Sequence, residues 1–390
     1  MITLANARVV TPLRVIEPGW IVIDNGRIHA VGRAEPPATD GHVVDLALDY
    51  VLPGFIDLHM HGGAGAQVTS IDPDEILRAV TFHRSHGTTR TLLSLVTSPI
   101  EDMVAAARTI ADMIHSGDLA CRSMVGIHLE GPFLNPLKPG SHHTDHILAP
   151  DPAALRHLLA AGDGTVRSVT LAPELPGGMD LLREVVAYGA VASVGHTDAT
   201  HRQTTEAFAA GARLVTHLFN AMREFHHREP GTVGAALADD SVTCELINDG
   251  HHVHDDVTRL VLAAAGHDRI AFITDATPAA GMGNGSFKLG PLPVQSRDGK
   301  VTLLDGVTHA GSTLTMDAAV RHAVRCVGIP ITHAATAAAS TPARVLGLDE
   351  RTGSIQPGKD ADLVVLDQDL RIRAVIAEGV VVHGLLPGSR

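Results

Sequence analysis

Asp57-Leu58-His59-Met60-His61 is the stretch on which the reading of the whole chain turns. An apolar run, 51–56, leads into it, and Gly62-Gly63-Ala64-Gly65 follows. Alternate side chains of an extended strand share a face. His59 and His61 therefore point the same way off the end of a buried strand. Two imidazoles side by side make half of a metal site, and they also suit an ordinary solvated strand end. The rest of the chain has to separate these two readings.

Outward from this stretch, apolar runs alternate with helical patterns. The strand-like runs are 51–61, 88–96, 124–130, 168–174, 190–196, 214–220, 243–248 and 269–275. Asp72-Pro73 opens a helix that stops near Gly87, Ser98-Pro99 a second that ends near Gly117, and Asp151-Pro152 a third that closes at Gly162. These are N-cap, first-turn proline and C-terminal glycine signals. Eight strand–helix units predict an α/β chain folded as a (β/α)8 TIM-like barrel, with a doubly wound open sheet as the alternative. Both ends of the chain read differently. Short strands at 7–10, 20–23 and 27–31 surround a hairpin turn, Asp24-Asn25-Gly26. Residues 362–366 and 375–382 are strand-like too, after the turn Gln356-Pro357-Gly358-Lys359. The expectation is a small β-sandwich domain built from residues 1–50 and 346–390 around a metal-dependent barrel at 51–345.

Composition narrows the function. The chain has 390 residues, 45 % apolar, and a formal charge of −13. That charge argues against a nucleic-acid partner, and an anionic substrate would need a local basic cluster. No apolar run approaches the roughly 20 residues of a membrane span, and the N-terminus carries no secretory pattern. Cys121, Cys244 and Cys326 are odd in number and far apart. They read as buried thiols of a reducing compartment, so a cytoplasmic protein is expected.

The polar residues fall where a barrel would use them. The strand-like runs end in His59 and His61, His128 and Glu130, Glu174, His196 and Asp198, His217 and Asn220, Asn248 and Asp249, and Asp275. Buried parallel strands should be apolar throughout, and the C-terminal mouth of a barrel carries the active site. His, Glu and Asp without cysteine suit Zn²⁺ or a similar divalent ion. A carboxylate such as Glu130 can bridge two ions, and a lone Asp275 can move a proton.

The motifs Pro53-Gly54-Phe55-Ile56-Asp57-Leu58-His59-Met60-His61-Gly62, His128-Leu129-Glu130-Gly131-Pro132-Phe133, Gly195-His196-Thr197-Asp198-Ala199 and Thr216-His217-Leu218-Phe219-Asn220-Ala221-Met222 recur in one family. So do His227-Arg228-Glu229-Pro230-Gly231, Thr274-Asp275-Ala276, Ala310-Gly311-Ser312 and the closing Gly353-Ser354-Ile355-Gln356-Pro357-Gly358-Lys359-Asp360-Ala361-Asp362. The chain resembles the amidohydrolase superfamily, and within it the N-acetylglucosamine-6-phosphate deacetylase family, over nearly its whole length. The resemblance implies that Glu130, His196 and His217 hold the main metal, that His59, His61 and Glu130 hold a second, and that Asp275 is general base and acid. It implies backbone N–H groups of Asn220 and Ala221 on the substrate phosphate with Arg228 as charged partner, His252 on the sugar or its phosphate, and His142 in a loop over the substrate. It further implies one or two Zn²⁺ per subunit, an amino-sugar phosphate as substrate, and a homodimer in which a basic residue reaches across. The reaction implied is hydrolysis of the acetamide to acetate and the free amine. A cyclic amidase or deaminase acting on an unphosphorylated ring, and an inactive scaffold of the same fold, are the competing readings.

Overall fold

The computed structural model describes residues 1–38 and 41–387. Eight parallel strands hydrogen-bond in sequence order: Phe55–Asp57, Thr88–Val96, Met124–Glu130, Val166–Leu171, Val191–Val194, Leu214–Val215, Thr243–Ile247 and Ile270–Ile273. Beyond the last ladder the two ends meet. The Asp275 N–H donates to His59 O at 2.8 Å, and Met60 bridges Ala276 in parallel. Asp57, fully buried, accepts from Thr274 Oγ1 at 2.6 Å and from the Thr274 and His59 N–H groups, each at 3.2 Å. One carboxylate thus joins the first strand to the last, and the barrel is nearly closed.

Helices follow the strands where the caps place them. Pro73–Ser85 is capped by Asp72, whose side chain accepts from Asp74 N–H, and Pro152–Ala161 by Asp151, which accepts from Ala153 and Ala154 N–H. Each such cap satisfies a donor that the helix cannot satisfy itself. The second helix, Ile100–His115, has no side-chain cap, because the Ser98 hydroxyl donates to Val96 O instead. Buried alanines and leucines on these helices pack against the barrel's outer surface in the main apolar core.

The run expected as one strand, 51–61, serves two sheets. Tyr50–Pro53 pairs antiparallel with Leu363–Leu366, and Phe55–Asp57 enters the barrel beside Thr88–Val96. The crossing falls at Gly54, where a Cβ would lie 2.3 Å from Thr89 Oγ1, so only glycine lets the chain pass this close. Sequence periodicity cannot show a change of sheet within one apolar run.

The terminal β unit is one hydrogen-bonded sheet of eight strands, in the order Val380–Gly384, Ile372–Ala377, Leu363–Leu366, Tyr50–Pro53, Ile2–Val10, Val15–Asp24, Arg27–Arg33, with His42–Asp45 also on Ile2–Val10. Leu4, Val9, Ile21, Leu363 and Val365 are buried together in its own core. The expected strand 375–382 is instead a hairpin, turned at Glu378 and Gly379, both with positive φ. Between the last barrel strand and its helix, Met316–His322, lies a four-stranded meander, Gly285–Leu289, Leu292–Arg297, Lys300–Leu303 and His309–Ser312, that the sequence reading does not anticipate. Among the described residues no helix is long and apolar enough to cross a membrane. Cys121 and Cys244 are buried free thiols, but Cys326, against expectation, is exposed in the last helical turn, Ala323–Val327.

Candidate active site

At the C-terminal mouth of the barrel, ring nitrogens and carboxylates from strands one, three, five, six and eight converge. His59 Nε2 lies 3.0 Å from His61 Nε2, and His196 Nε2 lies 3.1 Å from His217 Nε2. Glu130 sits between the two pairs. Its Oε1 is 3.1 Å from both His196 Nε2 and His217 Nε2 and 3.4 Å from His59 Nε2, and its Oε2 is 3.2 Å from His61 Nε2. Asp275 Oδ1 is 3.2 Å from His61 Nε2 and 3.6 Å from His59 Nε2. Two metal-competent groups result, His59 with His61 and Asp275, and Glu130 with His142 and His196. Asp275 thus stands among the candidate ligands, beyond its expected role in proton transfer.

Two of the rings are held at the far nitrogen by backbone carbonyls. His61 Nδ1 faces Ser94 O at 2.9 Å and His196 Nδ1 faces Lys138 O at 3.0 Å. His217 Nδ1 is buried with no hydrogen-bond partner. His196, His217 and Asp275 all have left-handed backbones, with φ of 48°, 28° and 48°. Such non-glycine conformations cost about 1–3 kcal/mol each. Here they turn three side chains inward from the strand ends.

These donors fit a divalent ion. Nitrogens about 2.0–2.1 Å from a common ion lie roughly 3 Å apart, the spacing seen here, and among the described residues no Lys or Arg lines the cavity to neutralise the carboxylates. Burial penalises both carboxylates, yet facing imidazoles outweigh it. His59 and His142 hold Glu130 well below the usual range, while His59 and His61 hold Asp275 at about 2. Burial likewise opposes charge on His61, but Asp275 and Glu130 raise it to about 9. Burial and His142 push His196 down to about 4. A bound cation would replace the protons that these carboxylates otherwise retain on the imidazoles.

The cavity, about 230 Å³, is lined by His142, Asn220, Ala221 and His252 as well as by the groups above. His142 Nδ1 accepts the Thr97 N–H at 3.3 Å, and its Nε2 is 3.2 Å from Glu130 Oε2. His252 Nδ1 is 2.7 Å from Asp249 Oδ2. The residues expected on the phosphate are placed differently from one another. The Asn220 N–H is already donated to His217 O at 2.9 Å, closing a tight turn, and its side-chain amide donates to His217 O and Leu218 O. Ala221, in contrast, donates its N–H to no acceptor among the described residues. Arg228 does not line the cavity. It is exposed in the loop beyond the sixth strand, and its guanidinium donates to His227 Nε2 at 2.8 Å. Glu174 binds Thr197 Oγ1, Asp198 N–H and Asn135 Nδ2, so it fixes loops around the mouth.

Sequence reasoning missed His309, which lines the cavity 4.8 Å from the His252 ring, because it belongs to the unanticipated meander. It also missed Glu245, hydrogen-bonded to His59. An acidic residue between Cys244 and Leu246 in a buried strand was the available signal.

The family described as "Amidohydrolase family" matches residues 50–382. An N-acetylgalactosamine-6-phosphate deacetylase of Escherichia coli O157:H7 is 37 % identical over 93 % of this chain and 96 % of its own length. An N-acetylglucosamine-6-phosphate deacetylase of Bacillus subtilis is 34 % identical over 96 % of each. A mutant N-acetyl-D-glucosamine-6-phosphate deacetylase of Mycobacterium smegmatis, solved in complex with N-acetyl-D-glucosamine-6-phosphate, superposes with a TM-score of 0.92 at 40 % identity, covering 98 % of this chain and 99 % of that one. With the barrel, the converging imidazoles and Asp275 already in view, these likenesses establish that the chain belongs to the amidohydrolase family, in the group that includes the N-acetylglucosamine-6-phosphate deacetylases.

Proposed function

We propose that the protein is a metal-dependent hydrolase that removes the acetyl group of N-acetylglucosamine-6-phosphate, giving glucosamine-6-phosphate and acetate. The observation that carries this reading is the convergence of five imidazole Nε2 atoms on Glu130, with Asp275 beside them. Glu130, His196 and His217 would hold one divalent ion, and His59, His61 and Glu130 would hold a second, with Zn²⁺ the ion proposed for both. When bound, such an ion supplies Lewis-acid polarisation of a carbonyl and a water acidic enough to react near neutral pH.

The chain's own residues do the rest. Asp275 takes the proton of the attacking water and passes it to the leaving nitrogen, since an amine leaves poorly unless protonated. His142 and His252 face the cavity and are the candidates to donate to the developing oxyanion. Ala221 offers its N–H to the phosphate. It follows two left-handed residues, His217 and Phe219, and is left-handed itself, a backbone pattern that forms anion-binding concavities. Arg228, exposed and away from its own cavity, serves the phosphate in a neighbouring subunit, so a homodimer belongs to this reading, as do residues 51–345 as the catalytic unit, 1–50 with 346–390 as the small β domain, and a cytoplasmic setting.

The test is acetate release from N-acetylglucosamine-6-phosphate by protein of known metal content, beside its C4 epimer, unphosphorylated N-acetylglucosamine and a cyclic amide. Metal-dependent acetate release from the phosphorylated sugars is expected. Ring opening of the cyclic amide without acetate release would overturn the reading. Arg228→Ala should raise KM for the phosphorylated sugar and leave turnover of the unphosphorylated one unchanged; equal effects on both would remove its phosphate role.

A further inference from the structure

Glu245 is a buried carboxylate at the site to which the chemistry above gives no part. It lies in the barrel strand Thr243–Ile247, is only 1 % exposed, and is flanked by Cys244 and Leu246, which are fully buried. A carboxylate in such a strand is costly unless something nearby needs it. Its Oε2 meets two groups, His59 Nδ1 and the backbone N–H of His217, each at 3.3 Å. Its backbone carbonyl accepts the Leu218 N–H at 2.9 Å. His59 and His217 belong to opposite halves of the site, so one oxygen touches both.

The bond to His59 has a chemical consequence. A carboxylate on Nδ1 selects the tautomer that carries its proton there, which leaves the Nε2 lone pair free. That Nε2 is the atom 3.0 Å from His61 Nε2 and 3.4 Å from Glu130 Oε1. His61 and His196 are held instead by backbone carbonyls, which no substitution removes. Among these ring contacts, that of His59 is the one made by an ionisable side chain. The bond to His217 adds a second function, since it holds a residue with φ of 28° in place.

We infer that Glu245 is a positioning residue that fixes the ion-holding tautomer of His59 and so sets the affinity of the His59–His61 half of the site. This rests on the two-ion reading above. Glu245→Gln keeps the size and one acceptor oxygen but not the charge, whereas Glu245→Leu keeps only bulk. Zn²⁺ titration by calorimetry, with metal counted per chain and thermal unfolding of the metal-free proteins in parallel, separates the possibilities. Wild type should take two ions. Glu245→Gln, which keeps an acceptor for the His217 N–H, should hold the tighter ion at wild-type affinity and weaken the other about tenfold, whereas Glu245→Leu, which loses that acceptor too, should weaken the His59–His61 ion up to about a hundredfold and the other ion less. A purely structural Glu245 would instead lower metal-free stability and weaken both ions alike, and that outcome overturns the inference. So does wild-type affinity for both ions in both variants. If Glu245→Leu fails to fold, Glu245→Gln decides. If wild type takes a single ion at saturating Zn²⁺, the two-ion reading fails and the inference falls with it, while acetate release still tests the deacetylase independently.

Discussion

Two buried clusters of carboxylates sit at different places in this molecule, and they differ in what neutralises them. Where the barrel meets the terminal sheet, Asp362, Asp360 and Glu378 surround Arg90, whose Nε lies 3.0 Å from Asp362 and whose Nη2 lies 3.4 and 3.0 Å from Asp360 and Glu378. Arg122 and Arg351 add further contacts to Glu378 and Asp360. The positive charge there is a side chain. At the mouth, Glu130 and Asp275 are equally buried but face only imidazoles, whose Nε2 atoms come together in pairs 3.0 and 3.1 Å apart. Buried charge must be paired. A cluster that carries its own arginines is a structural joint, whereas one that offers converging lone pairs and no permanent cation is a place for a metal ion.

The sharpest way to break this comparison is at the mouth. Asp275→Asn should lower kcat by about 10²–10⁴-fold, the size of a lost general acid–base group, when the two proteins are compared at equal metal content. Near-normal turnover would end its assigned role. The joint should respond in the opposite sense. Arg90→Met strands Asp362 without its guanidinium, and removing one partner of a buried pair costs about 3–5 kcal/mol. Thermal unfolding should show that loss, and kcat per folded molecule should be unchanged. A large fall in kcat with intact stability would mean that the two clusters are not independent.

The His252–Asp249 pair lies between these extremes, a charged pair at the edge of the cavity. Burial opposes charge on both, yet Asp249 raises His252 above its ordinary value, and His252 lowers Asp249 to about 2. A raised histidine stabilises the fold fully below about pH 6.5 and loses that contribution as pH rises through its folded value. A lowered aspartate contributes fully above about pH 3.9 and loses it as pH falls toward 2. Asp249→Asn should therefore shift the alkaline limb of the kcat/KM profile for the phosphorylated sugar to lower pH. An unmoved limb would show that His252 does not act there as a cation. The smallest effect belongs to a residue in neither cluster. Asp151→Ala removes the cap of Pro152–Ala161 and should cost about 1 kcal/mol in denaturant unfolding, with no change in kcat.

Much of the site could be read from the chain alone. His59 and His61 were placed on one face by strand alternation, and their Nε2 atoms are 3.0 Å apart. Glu130, His196, His217 and Asp275 stand out in the sequence because acidic and imidazole groups are out of place at the ends of buried strands. The phosphate side was less legible. Whether the N–H of Asn220 is free depends on how its turn closes, and whether Arg228 reaches the cavity depends on the path of a loop. The meander that brings in His309 has no helical periodicity, and its short strands merge with ordinary loop sequence.

Residue chemistry and periodicity along the chain were therefore enough to indicate the barrel, the likeness of the two β-rich ends and a mouth suited to a divalent ion. All of these depend on near neighbours in sequence and on which faces are apolar. Tertiary structure alone decided that Gly54 passes the first strand from one sheet to the other, that Asp57 joins it to the last, and that Glu245 meets His59 from a strand 186 residues away. Those are contacts between distant segments, set by barrel closure and strand register, and no local pattern encodes them.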